Sequence, residues 1–317
     1  VINLNRPRLT SFIIVNWNTR DLTARCLSSI VEKNKEAPVE IFVVDNASTD
    51  GSVEFIAQKF PAVKMICNEQ NLGFAKANNQ AIRRALGDLI ILLNSDTELL
   101  SPEPAQRIHS FLQTHPKVGI VGAKLLLPNG QIQSLGREFV SLKTLIKTQL
   151  LFSSSPALSR SIAQSPQSFL HADYVDGAFL AIRRVVVDQI GLMNEQYFMY
   201  VEDMEWCASA HKAGWEVAVL PDIEVVHYHA ASAVKDFPRI LFVNAVNISR
   251  YIGHTNGWQQ AKASFYVLMA GMLLRIPLSL FRKRKLAVDY WRGFWKCFGL
   301  IGRLESVLKR KTDGREC

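Results

Sequence analysis

Asp45 follows the apolar run Ile41–Val44, and Asn94-Ser95-Asp96 follows the run Leu89–Leu93. Each run is short, uninterrupted and rich in β-branched residues or Leu, the pattern of a strand buried on both faces of a parallel sheet. In open α/β sheets, ligands bind beyond the carboxyl ends of such strands. A carboxylate there can accept hydrogen bonds from a base or ribose, or share a divalent cation with a diphosphate. Two of them, each followed by polar turn residues, point to a nucleoside-diphosphate site and to an enzyme that uses an activated nucleotide.

The elements that must position these residues alternate along the chain. Ser11–Val15 predicts a first strand ending at Asn16-Trp17-Asn18. Leu22, Cys26 and Ile30 then mark a helix from Asp21 to about Lys33. After the second strand, the turn Asn46–Ser52 leads into a helix stopped by Pro61. Val63–Cys67 predicts a third strand, and Asn71-Leu72-Gly73 turns the chain into a helix ending near Gly87. A further helix and a strand at Gly119–Ala123 follow, then a turn at Pro128-Asn129-Gly130. Strands alternating with helices predict a doubly wound α/β sheet. Phe152–Gln167, rich in Ser with Pro156 and Pro166, predicts a mobile loop. A helical tail begins near Pro238. Residues 1–238 would form the catalytic domain and 239–317 a basic, amphipathic tail.

Six ordered segments resemble the inverting family-two glycosyltransferases, which have a GT-A fold. Val43-Val44-Asp45-Asn46-Ala47-Ser48-Thr49-Asp50-Gly51-Ser52 resembles their first signature, and Asn71-Leu72-Gly73-Phe74-Ala75-Lys76-Ala77-Asn78-Asn79 the next. Leu92-Leu93-Asn94-Ser95-Asp96 is similar to their metal-and-ribose motif, and Tyr174-Val175-Asp176-Gly177-Ala178-Phe179 to the acceptor-side glycine segment. Phe198-Met199-Tyr200-Val201-Glu202-Asp203 resembles the Glu-Asp catalytic motif, and His227-Tyr228-His229-Ala230-Ala231-Ser232 the closing His loop. The wording is most similar to non-processive rhamnosyltransferases of cell-envelope polysaccharides.

The resemblance implies a GT-A, Rossmann-like mixed sheet and a metal-dependent inverting transfer. The donor would be dTDP-rhamnose, or alternatively a UDP-hexose or UDP-N-acetylhexosamine, and the acceptor a lipid-linked or cell-envelope glycan. It places Asp203 as base with Glu202 beside it. Asp96 and His229 would hold Mg²⁺ or Mn²⁺, with His227 competing for the histidine position. Asp45 would meet the nucleobase; Asn16, Asn71, Gly73, Asn79, Asn94, Ser95 and Gly177 complete the nucleotide-sugar set. The chemistry explains these types: inversion needs a base for the acceptor hydroxyl and positive charge near the departing diphosphate.

Plainer roles compete. Asp45 could cap the turn at Asn46–Ser48, and Glu202-Asp203 could be an acidic helix start favoured by the dipole. The chain also departs from the family pattern. Asn94 replaces the first Asp of Asp-x-Asp, Glu205 a usual Asp, Ser209 a usual Arg and Ala81 a usual Gly. The Gln-x-x-Arg-Trp motif of processive synthases has only the echo Asn247-Ile248-Ser249-Arg250-Tyr251, so one sugar per acceptor is expected. A non-catalytic glycan- or membrane-binding scaffold is the reading from another class; the intact Asp45, Asp96 and Asp203 argue against it.

The net charge of +9 suggests nucleic acid until it is located. Residues 1–238 hold 22 Lys and Arg against 24 Asp and Glu, whereas residues 239–317 hold 15 against 4. The excess therefore lies in a tail that also contains Phe265–Leu274, Leu278–Phe281 and Arg282-Lys283-Arg284-Lys285. An anionic membrane surface fits that pairing better than nucleic acid. Arg275 and Pro277 argue against a spanning helix. The five scattered cysteines form no C-x-x-C pair, and Val1–Thr10 shows no long apolar core. The expected location is cytoplasmic, peripheral on the inner face of the cell membrane.

Overall fold

The computed structural model describes residues 8–152, 168–228, 236–280 and 284–309. His229, Arg282, Lys283 and most of the Ser-rich stretch expected to be mobile lie outside the described residues. Those described fall into two compact units, the first from 8–138, 168–195 and 202–228, the second from 139–152, 196–201 and the remainder. The second unit thus takes in two segments that lie, in sequence, inside the first.

The first unit begins with β1 (Thr10–Asn16), α1 (Arg20–Lys33), β2 (Val39–Asp45), α2 (Ser52–Lys59), β3 (Lys64–Cys67), α3 (Phe74–Ile82) and β4 (Leu89–Asn94). Next come β5 (Thr97–Leu99), α4 (Pro104–Thr114), β6 (Val118–Leu126) and β7 (Ile132–Ser134). In the second unit α5 (Leu142–Leu145) continues into a wider π turn, Ile146–Leu150. The first unit resumes with β8 (Leu170–His171), β9 (Phe179–Arg183), α6 (Arg184–Ile190), α7 (Glu202–Lys212) and β10 (Glu216–His227). The second closes with α8 (Phe237–Asn256), α9 (Trp258–Leu280), α10 (Arg284–Phe298) and α11 (Leu304–Lys309).

Ten strands form one mixed sheet, with main order β3-β2-β1-β4-β9-β6-β10-β5 and β7 and β8 paired to its flank. β3, β2, β1 and β4 are parallel, while β9 runs antiparallel between β4 and β6. Strict alternation feeds two core layers. Phe12, Ile14, Val43 and Ile91 face Cys26, Leu27 and Ile30 of α1. Ile13, Phe42, Val44 and Leu92 face Ala75, Ala77 and Ala81 of α3 and Trp206 of α7. Being buried on both faces, these strands need the unbroken apolar runs seen in sequence. The register aligns Asn16 with Asp45 and Val15 with Asn94, so the polar residues sit together at one sheet edge.

α3 ends at Ile82, earlier than its pattern suggests. The Arg184 guanidinium donates to the carbonyls of Ile82, Ala85 and Gly87, while Glu40 accepts from Leu86 N and Ser11 Oγ from Gly87 N. Distant side chains have taken over the groups that another helical turn would need. β10 runs for twelve residues, and β5, β7, β8 and β9 are additions to the strands read from the apolar runs.

In the second unit α8, α9 and α10 pack on one another. Arg250 is 2% exposed and donates to the carbonyls of Gln196, Val307 and Leu308. α9 is long and apolar enough to cross a membrane by length and composition, and 39% of its most apolar stretch is buried. Arg275, expected to oppose spanning, donates to the carbonyls of Thr148, Gln149 and Gly271.

Candidate active site

Three strand ends build the floor. Asn16 is fully buried; its Nδ2 donates 2.6 Å to Asp45 Oδ2, and its Oδ1 lies 2.7 Å from each of the Thr19 and Thr23 hydroxyls. Asp45 Oδ1 accepts from Ser48 N at 2.8 Å. The turn between them needs Ala47 at φ 62°, a left-handed conformation uncommon for a non-glycine residue. Ser95 joins the network through the Thr19 hydroxyl at 2.8 Å. Asp45 is 1% exposed and caps its own turn, as the plainer reading has it. Its remaining lone pairs are all it can offer a base.

A second turn is locked to the first. Asn46 Nδ2 donates to Asn71 Oδ1 and to Gly73 O, both at 3.2 Å, and Gly73 N donates to Asn71 Oδ1 at 2.9 Å. Gly73 adopts φ 81° and ψ −178°, a region essentially restricted to glycine. Asn79, expected beside the base and ribose, is instead fully buried and braces the chain before α7. Its amide exchanges both hydrogen bonds with Met193 and donates to Glu195 Oε1 at 3.0 Å. Both amide N–H groups are used there, and Oδ1 already accepts from Met193 N.

Beyond β4, the antiparallel pairing of β5 with β10 brings His227 opposite Thr97. His227 Nε2 lies 3.3 Å from Asp96 Oδ1 and 3.3 Å from Asn94 Nδ2. Gln133 Nε2 stands 3.1 Å from the other ring nitrogen. A glutamine can donate or, turned, accept, so it can fix either imidazole tautomer. Of the two candidate histidines, His227 stands against Asp96, and His229 lies outside the described residues. A carboxylate oxygen and an imidazole nitrogen suit a cation such as Mn²⁺. Among the described residues no three His, Cys, Asp or Glu side chains converge.

The third component is Asp203, in the first turn of α7. Its Oδ2 accepts from Gly177 N at 2.9 Å and its Oδ1 from Met204 N at 2.8 Å. Burial, reinforced by the Asp176 carboxylate, raises its pKa to about 6, although the two N–H groups and Arg137 pull the other way. Arg137 Nε donates 2.7 Å to Asp176 Oδ1, tempering that acidic cluster. Glu202 is driven well above the carboxylate range, first by burial and then by Asp203; it is 4% exposed, and its Oε2 has no hydrogen-bond partner among the described residues. A carboxyl with a pKa near 6 is ionised at neutral pH and well matched to general-base work. Of the adjacent pair, Asp203 is the one whose carboxylate is held by two backbone N–H groups beside Gly177.

Gly177 must be glycine for contact reasons. A Cβ there would stand 3.1 and 3.2 Å from Phe74 ring atoms and 3.7 Å from Asp203 Oδ2. Adjacent Ala178 accepts from Asn94 N at 3.3 Å. One short path of backbone therefore joins the Asn94–Asp96 end of β4 to Gly177 and Asp203.

This arrangement can be set beside known proteins. A model described as "Glycosyltransferase like family 2" matches residues 7–241. The chain belongs to glycosyltransferase family 2. Among its relatives, the N-acetylglucosaminyl-diphospho-decaprenol L-rhamnosyltransferase of Mycobacterium tuberculosis is 25% identical over 79% of this chain and 88% of that relative. The dTDP-rhamnosyl transferase RfbF of Shigella flexneri is 25% identical over 70% of each chain. The structure of a mannosyltransferase from Pyrobaculum calidifontis, in complex with GDP-Man and Mn²⁺, matches with a TM-score of 0.58 at 17% identity, covering 94% of this chain and 87% of that one. GalNAc-T7, solved with UDP, GalNAc and Mn²⁺, gives 0.60 at 16% identity over 94% of this chain and 57% of that one. The family-two chain is thus a nucleotide-sugar glycosyltransferase with the mixed sheet of the GT-A fold. Arg137 and Gln133 had no sequence signal: each touches a site residue only because β7 and the segment after it return to the sheet edge.

Proposed function

We propose that this chain is a metal-dependent inverting glycosyltransferase that moves a single sugar, rhamnose from dTDP-rhamnose, onto a lipid-linked or cell-envelope glycan. The observation that carries the reaction class is the short backbone link between the Asp96–His227 pair and Asp203. In this reading Asp203 takes the proton of the acceptor hydroxyl. The freed oxygen forms a bond to the anomeric carbon while the bond to the diphosphate oxygen breaks, its electrons leaving with the nucleotide, and configuration inverts. Asp96 and His227 would hold a divalent cation, whose charge would stabilise the departing diphosphate. Asp45, Asn16 and Ser48 hold rigid the turn against which the nucleotide lies.

The rhamnose assignment is supported by the names of the two rhamnosyltransferase relatives. GalNAc-T7 with UDP and GalNAc favours a UDP sugar as the competing donor. A single assay separates them. The protein is incubated with Mn²⁺ or Mg²⁺ and dTDP-rhamnose, UDP-glucose, UDP-N-acetylglucosamine or GDP-mannose, and donor binding is read from the shift in thermal unfolding. Transfer to a polyprenyl-diphosphate-linked sugar is then read by mass, and the product anomer by NMR. Selective response to dTDP-rhamnose with an inverted product supports the proposal; selective response to a UDP sugar replaces the donor, and a retained configuration rejects the mechanism.

A further inference from the structure

We propose that the outer face of α10 is a lipid-binding surface that seats the helical unit on an anionic bilayer. The argument is independent of the glycosyl-transfer reading and begins with how α10 is oriented. Ala287, Gly293 and Cys297 are buried, and a Cβ on Gly293 would meet Leu241 at 3.0 Å. This close packing against α8 fixes which face turns outward.

That outward face has an unusual composition. Val288, Trp291, Trp295 and Phe298 recur at intervals of three and four residues and are each 46–48% exposed. They form one stripe. The rings touch in series, Trp291 to Trp295 at 5.4 Å between centroids and Trp295 to Phe298 at 5.0 Å. The other exposed residues of α10 are Arg284, Lys285, Arg292 and Lys296. Every exposed position is therefore apolar or cationic. A helix that merely faces water carries neutral polar residues and charges of both signs. In the same unit, the last turns of α9 expose Leu273, Leu274, Leu278 and Leu280.

Indole rings beside Lys and Arg are the combination favoured at a membrane–water boundary, where rings enter the headgroup layer and cations meet anionic lipid. A second copy of the chain is a poorer occupant. A two-fold contact through this face would bring its four cations against the same four, and lysine is depleted in protein interfaces. The net excess of basic residues in 239–317 acts in the same direction. An anionic cytoplasmic leaflet would thus hold the chain peripherally, beside any lipid-borne acceptor.

The chain is mixed with vesicles of pure phosphatidylcholine or with added phosphatidylglycerol, and partitioning is measured by sedimentation. Tryptophan quenching by lipids brominated near the headgroup is measured on the unmodified chain. Expected are binding to the anionic vesicles, release by salt, and strong quenching. Arg292→Gln with Lys296→Gln should weaken partitioning about 25-fold, since each basic residue near the surface contributes about fivefold. Trp291→Ser with Trp295→Ser should abolish most of the quenching; if that variant does not fold, quenching of the unmodified chain still decides. Equal binding to neutral vesicles, binding indifferent to salt and charge as for α9 crossing the bilayer, or a salt-resistant dimer that shields these tryptophans without lipid would each overturn the proposal.

Discussion

Asn247 Nδ2 donates to the carbonyls of both Met199, at 2.9 Å, and Tyr200, at 3.3 Å. The hook so held is strained: Tyr200 and Val201 have φ of 69° and 79°, in a region a β-branched residue rarely enters. Strain of this kind is worth about 1–3 kcal/mol per residue and persists only where neighbours enforce it. The next two residues are Glu202 and Asp203. The Asn-x-x-Arg echo thus has a use unrelated to processive synthesis, because Arg250 also holds the carbonyl of Gln196.

Asn247→Ala is expected to loosen this hook. Amide hydrogen exchange should rise across residues 199–203, and kcat should fall about ten- to a hundredfold through misplacement of Asp203. Donor KM should stay near its original value. A fall in donor affinity with unchanged exchange would show that Asn247 acts elsewhere.

Asp203→Asn should lower turnover by about 10²–10⁴ while donor binding persists. The wild-type rate should decline toward acid with a midpoint near the raised pKa of about 6. The stability effect has the opposite sign. An acid whose pKa is raised by folding stabilises most below its unfolded value, and that contribution is lost as pH climbs through the folded value. From the ordinary aspartate value of 3.8 to about 6, the wild type should therefore lose stability relative to the Asn variant. The difference should reach roughly 1–3 kcal/mol and level off above neutrality. Chemical denaturation at pH 4, 6 and 8 measures it; a difference that narrows with rising pH would contradict the burial of Asp203.

Asp96→Ala and His227→Ala should each weaken cation-dependent donor binding by at least about tenfold, with only partial rescue by excess Mn²⁺. Isothermal titration with and without the cation tests this. Transfer that persists in strong chelator would remove the cation from the proposed reaction.

Gly177→Ala places a methyl against the Phe74 ring and should cost about 1–3 kcal/mol with reduced turnover. Shortening the partner, Phe74→Leu, in the same chain should recover part of both losses. A double-mutant cycle gives the coupling, and strict additivity would show that the contact is not the cause.

The parallel half of the sheet was readable because β1, β2 and β4 are buried on both faces and leave unbroken apolar runs. Their polar ends, Asn16, Asp45 and Asn94, followed from strand direction alone. β9 escaped notice because its pairing with β4 and β6 depends on partners far away in sequence. Asn79 shows a related limit: motif position says that a residue is needed, whereas only packing shows that its amide bonds to Met193 and Glu195. Glu202 and Asp203, adjacent in sequence, differ in their partners, since Asp203 accepts from the N–H groups of Gly177 and Met204, and local sequence carries no measure of that. Strand register, which no spacing rule could have supplied, sets His227 against Asp96; His229 lies outside the described residues.

The position of β10 between β6 and β5 has a consequence for synthesis on the ribosome. Thr97 waits for His227, about 130 residues later, before its strand has a partner. At roughly 5–20 residues per second this is a delay of some 6–26 s. During that interval the flank of β6 that will receive β10 is an open edge, able to pair with another nascent chain. Asp96 meanwhile has no imidazole beside it. The corner where Asp96 meets His227 is therefore among the last parts to mature, and a chain interrupted before β10 would lack it and leave a strand edge open to aggregation.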